Sequence, residues 1–68
     1  MKIQINGAER EVPDGLSVTA LIAHEKIKQP TMVSVEHNGE ILDRDAYDGT
    51  QVKAGDVVEF LYFMGGGA

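Results

Sequence analysis

The chain has 68 residues, of which 43% are hydrophobic and 25% charged, with a net charge of −5; it is expected to form a single small domain in which folding hides roughly 61% of the extended surface. So thin an interior leaves little room for a catalytic pocket of the usual size, and binding or carrying is favoured over catalysis. The absence of cysteine excludes disulfides, iron–sulfur clusters and Cys-type zinc sites, and two histidines alone cannot complete a structural metal shell.

Six basic residues against eleven acidic ones, both scattered, argue against a nucleic-acid backbone as partner. The surplus of acids can instead steer the chain toward a basic partner. Phe60–Met64, the longest apolar run, is far too short to span a membrane, and no charged leader followed by an apolar region opens the chain. A cytoplasmic protein, monomeric when free, is expected.

Lys2-Ile3-Gln4-Ile5 alternates strictly, as a half-buried strand does. Asn6-Gly7 is a strong hairpin signal, because a type I′ turn needs positive φ at both central residues. A second strand returns over Ala8–Val12, and Pro13-Asp14-Gly15 closes the hairpin. Val18, Leu21 and Ile22 then fall at helical spacing, so a helix is predicted from Val18 to Ile27, with Ser17 as N-cap and no capping box, since Ala20 stands at the third position. Gln29-Pro30 marks its end.

Alternation resumes over Met32–Glu36 as a third strand, with Val33 and Val35 inward. Asn38-Gly39 forms a second sharp turn into a short strand over Glu40–Leu42. Residues 43–49 are read as a polar loop holding one helical turn, with Val52 anchoring the connection to the core. Ala54-Gly55-Asp56 turns into a last strand over Val57–Phe63. The order predicts an α+β domain in which one helix lies across a mixed sheet of four or five strands, over residues 1–64.

Residues 65–68, Gly65-Gly66-Gly67-Ala68, are expected to form a flexible tail: three glycines bury nothing and lose the most entropy when ordered. Extended, the four residues reach at most about 14 Å, enough to thread a narrow channel in another protein where any Cβ would clash. In the strand before it, Glu59 marks the odd-numbered face as wet. Val58, Phe60 and Tyr62 should then face the helix, leaving Leu61 and Phe63 exposed beside Met64 as a docking patch for a partner.

Lys2-Ile3-Gln4-Ile5-Asn6-Gly7, Pro13-Asp14-Gly15 followed by Ser17-Val18 and Leu21-Ile22, Val33–Gly39 leading to Glu40-Ile41, and Gly55-Asp56-Val57-Val58-Glu59 before the glycines together resemble the ThiS family of sulfur carriers. The resemblance implies a β-grasp, ubiquitin-like fold, shared with the molybdopterin carrier MoaD. It also implies that Gly67 is the covalently modified end, activated as an acyl-adenylate by an E1-like, ThiF-like enzyme that uses ATP. A sulfur donor of the cysteine desulfurase or rhodanese type would then convert Gly67 to a thiocarboxylate for a ThiG-like thiazole synthase. Gly65, Gly66 and Gly67 would thread into the partner's active site, and the carrier itself would need neither a bound cofactor nor a catalytic side chain.

One departure is Ala68, since relatives finish at the glycine pair; a protease cutting between Gly67 and Ala68 would restore that end. Other readings remain open at this level. These are a carrier for sulfur amino acid or molybdopterin synthesis, and a noncovalent β-grasp interaction module with an inert tail. His37 is read as a rim residue beside a turn and His24 as a solvated helix residue. Asp43, Asp45 and Asp48 form a loop of solvated acids, because a calcium loop would need a glycine at its sixth position and a closing bidentate Glu.

Overall fold

A computed structural model describes residues 1–62. Five strands form one mixed sheet, in the order β2-β1-β5-β3-β4. The strands are β1 (Lys2–Ile5), β2 (Ala8–Glu11), β3 (Val33–His37), β4 (Glu40–Ile41) and β5 (Val57–Tyr62), with a single α-helix, α1 (Val18–His24), between β2 and β3. Short 3₁₀ turns occupy Pro30–Met32 and Arg44–Ala46. This is the predicted α+β β-grasp architecture, with five strands.

The core lies between α1 and one face of the sheet. Val18, Leu21 and Ile22 of the helix meet Ile3 and Ile5 of β1, Val33 and Val35 of β3, and Val58 and Phe60 of β5. Removing each such side chain from water contributes about 1.5–3 kcal/mol. Val12, Tyr47 and Val52, all buried, hold the connecting segments against this cluster. Ser17 caps the helix as expected, its Oγ accepting from the Ala20 N–H at 3.1 Å.

The helix ends at His24 and not at Ile27. Lys26 takes the left-handed conformation (φ 57°), its N–H donates to Ala23 O and that of Ile27 to Ile22 O. This is a Schellman ending, in which a residue just past the helix reverses the chain so that an apolar one folds back. Ile27 is that residue, partly buried against the core. The Glu25 side chain is only 7% exposed and pairs with Arg10 of β2 at 3.1 Å.

β5 is the central strand. It pairs in parallel with β1 on one side and antiparallel with β3 on the other. The second strand stops at Glu11, one residue short of the predicted Val12, and the third begins at Val33, because Pro30–Met32 is wound into a 3₁₀ turn. The arginine of that later segment, Arg44, donates to the carbonyls of Pro30, Thr31 and Val33, tying the 43–49 loop to the start of β3.

Candidate functional site

The candidate site is the C-terminal end of β5 and the outer face of the sheet around it. Two Asn-Gly turns hold this strand. Asn6 and Gly7 have φ of 50° and 84°, Asn38 and Gly39 of 51° and 87°, so both turns are of the primed type that matches strand twist. Each asparagine then does something its dipeptide does not advertise. Asn38 Oδ1 accepts from the Val57 N–H, and Asn6 Oδ1 accepts from the Phe60 N–H, both at 2.8 Å. The backbone adds Asn38 N–H to Val57 O at 2.7 Å and Asn6 N–H to Val58 O at 3.0 Å. β5 is therefore gripped at its start by one turn and near its end by the other.

At the start of β5 the grip is reinforced by Asp56. Its carboxylate accepts from His37 Nε2 at 2.7 Å, from Asn38 Nδ2 at 3.2 Å and from the Lys53 N–H at 2.8 Å. An ionised carboxylate is an acceptor only, so Nε2 of His37 carries the proton in this contact. Burial works against the charge on Asp56, but the Lys53 N–H and the His37 and Asn38 donors outweigh it and hold the carboxyl below its ordinary range. His37 is thus a half-buried member of a hydrogen-bonded cluster at the rim. His24 ends α1 and lies 3.1 Å from Glu25.

Along β5 the parity holds for most of its length. Val58 and Phe60 are buried, while Val57 and Leu61 are about 40% exposed on the opposite face. Tyr62 departs from it. Predicted to face the helix, it is 51% exposed, because on that face the packed cluster stops at Phe60 and Val33 and nothing in it covers the last strand position. Leu61 of the expected docking patch is on the outer face; Phe63, Met64, Gly65, Gly66, Gly67 and Ala68 lie outside the described residues.

Among the described residues no group of three metal-ligating side chains converges. Asp43, Asp45 and Asp48 are exposed. A shallow concavity of about 380 Å³ lies between β1 and the turn before β5; its polar lining residues, Lys2, Gln4 and Glu9, are all exposed. None of the helices described here is long and apolar enough to cross a membrane.

The arrangement presents the residues after Tyr62 from a strand fixed on both sides, and residues 3–67 match the ThiS family model. The chain belongs to the ThiS family. It is similar to the crystal structure of the thiamine biosynthesis protein ThiS from Geobacter metallireducens, at 51% identity and a TM-score of 0.90 over 98% of this chain and 100% of that one. An NMR structure of a thiamine biosynthesis protein from the same organism matches at 50% identity and a TM-score of 0.82, covering 100% of this chain and 90% of that one. A thiazole synthase of Paramagnetospirillum magneticum is 37% identical over all 68 residues. The chain spans only 21% of that relative's length.

Sequence reasoning found the turns, the last strand and the inward and outward positions up to Leu61. It missed the Asn6 and Asn38 side-chain contacts and the His37–Asp56 pair. The dipeptides carry no signal for the first two, because their partners on β5 lie 19 and 54 residues away in the chain.

Proposed function

We propose that this protein is a sulfur carrier for thiazole formation in thiamine biosynthesis, a protein co-substrate rather than a catalyst. The observation that carries the reading is the family match, which runs through Gly65-Gly66-Gly67 to residue 67. A free carboxylate is a poor electrophile. An E1-like enzyme of the ThiF type joins the Gly67 carboxylate to the α-phosphate of ATP and releases pyrophosphate. The terminal sulfur of a persulfide on a cysteine desulfurase or rhodanese-type donor then displaces AMP to form an acyl disulfide, and a thiol reductant cleaves its S–S bond to leave a C-terminal thiocarboxylate. Held on the carrier, that sulfur reaches its acceptor at high effective concentration.

A ThiG-like thiazole synthase is the acceptor. The Paramagnetospirillum magneticum relative supports this, because there a segment resembling the whole of this chain is part of a protein named thiazole synthase. Gly65, Gly66 and Gly67 thread the active-site channels, and Leu61, Phe63 and Met64 dock beside them. ATP is consumed by the activating enzyme and none is held by the carrier. A protease first removes Ala68, which stands beyond the last residue of the family match.

The test is to incubate the 68-residue protein with its cognate adenylating enzyme, ATP and a sulfur donor, with and without cell extract, and to weigh the intact product. The expected product ends at Gly67 and carries one sulfur in place of one oxygen. A thiocarboxylate formed efficiently with Ala68 retained overturns the processing step, and a chain ending at Gly67 that takes up no sulfur overturns the carrier reading. Trimming to Met64 separates the carrier from a noncovalent β-grasp module: a carrier loses sulfur transfer but keeps partner binding.

A further inference from the structure

Each Asn-Gly turn sets a side-chain amide beside the main-chain nitrogen of a glycine, the two groups from which a five-membered imide can close. All four residues are exposed. No Cβ crowds the glycine nitrogen, the space around Gly7 and Gly39 is open, and neither N–H donates a main-chain hydrogen bond among the described residues. The two asparagine amides are held differently. Asn38 is fixed at both ends, Oδ1 accepting from the Val57 N–H at 2.8 Å and Nδ2 donating to Asp56 at 3.2 Å. Asn6 is fixed at one. Its Oδ1 accepts from the Phe60 N–H at 2.8 Å, and its Nδ2 makes no hydrogen bond among the described residues.

Imide closure needs a polarised asparagine carbonyl, a glycine nitrogen that gives up its proton, and an Nδ2 free to leave. At Asn6 the Phe60 N–H supplies the polarisation and nothing retains Nδ2. At Asn38 the Val57 N–H does the same, but the Asp56 carboxylate holds the leaving nitrogen and opposes negative charge building beside it. We propose that Asn6 is a site of spontaneous succinimide formation and isoaspartate conversion in the folded protein, and that Asp56 protects Asn38 from the same reaction. The Gly7 nitrogen bonds to Asn6 Cγ as the Cγ–Nδ2 bond breaks, and the Gly7 amide proton departs with Nδ2 as ammonia. Water then opens the imide. Cleavage between Cγ and the Gly7 nitrogen leaves aspartate, which keeps an oxygen for the Phe60 N–H. Cleavage at the other carbonyl leaves isoaspartate, with the main chain one methylene longer. A two-residue turn of fixed twist does not absorb that insertion, so the grip on Phe60 is lost.

Ageing of the full chain at neutral pH tests the proposal, with each site followed by peptide mass mapping and isoaspartate counted by enzymatic methyl-ester formation. In concentrated urea the two dipeptides are alike and should react at similar rates. In the folded chain Asn6 should react roughly tenfold faster than Asn38, the factor expected from one hydrogen bond to a charged group. Asp56→Asn should bring Asn38 toward the rate of Asn6. Asn6→Gln, which would have to close a six-membered ring, should remove most of the modification. Chains carrying isoaspartate at position 6 should exchange the Phe60 amide faster than fresh protein. Equal rates at the two sites in the folded chain, or an Asn6 that reacts only in urea, overturn the site. An Asn38 that stays slow in folded Asp56→Asn overturns the protection, and unchanged Phe60 exchange overturns the loss of grip.

Discussion

The two Asn-Gly turns agree within 3° in φ at both residues, and both hand an amide oxygen to β5, yet they work in different surroundings. Asn38 sits where β5 begins and is backed by Asp56, which also engages His37 and the Lys53 backbone. Asn6 sits where β1 leaves the sheet. There its side chain replaces the next rung of the ladder, accepting from Phe60 where β1 has no residue left to offer. A turn chosen for its backbone twist thus doubles as an anchor for a distant strand, at one end within a network and at the other alone. The left-handed conformation has a use at both asparagines. Lys26, the third non-glycine residue with positive φ, offers a contrast, for it makes no side-chain hydrogen bond among the described residues.

These differences can be broken experimentally. The largest effect is expected at Asn38→Ala, which strains the left-handed position, removes the acceptor of the Val57 N–H and takes a donor from Asp56; about 3 kcal/mol should be lost, read as a lower urea midpoint at unchanged m. Asn6→Ala lacks the network component and should cost about 2 kcal/mol, with faster amide exchange at Phe60. Glycine at either position keeps the turn and loses only the side-chain bond, so Asn6→Gly and Asn38→Gly should each cost about 1 kcal/mol.

Acid titration sharpens the comparison. Because the folded Asp56 carboxyl titrates below its ordinary value of 3.8, the stability it contributes is fully present above that value and is lost as pH falls through the lower folded value. Asp56→Asn should remove this component of the acid unfolding limb and cost about 1 kcal/mol at neutral pH. Equal acid limbs for the variant and wild type, followed by circular dichroism, would show that the cluster contributes nothing. The smallest effect has the opposite sign. Lys26→Gly relieves left-handed strain of 1–2 kcal/mol against a glycine entropy cost of about 0.5–1, so thermal unfolding should show a gain of about 0.5 kcal/mol.

What could be read from residues alone was local chemistry. Asn6-Gly7 and Asn38-Gly39 declare their turns because only a few residues accept positive φ, and Ile3, Ile5, Val33 and Val35 declare an inward face because strand periodicity is two. The helix end was not legible. Lys26 has no intrinsic preference for a left-handed position, and it is the burial of Ile27 that draws the chain round. The His37–Asp56 contact spans nineteen residues and depends on β3 and β5 being neighbours, which no single segment encodes. Tyr62 was misplaced because parity says which way a side chain points and nothing about where the cover on that side runs out. The glycine-rich end was conspicuous for the opposite reason, as its composition cannot serve a core at all.

The central place of β5 also bears on force. A partner that grips the residues after Tyr62 pulls along this strand, which is bonded to β1 on one side and β3 on the other and pinned by two asparagine side chains. Such a load acts in shear, so the bonds on both flanks must yield together instead of opening one after another as in a peeled hairpin. Resistance of that kind is governed by the unfolding barrier and not by equilibrium stability. A load applied beyond Tyr62 is therefore met by both flanks of β5 at once.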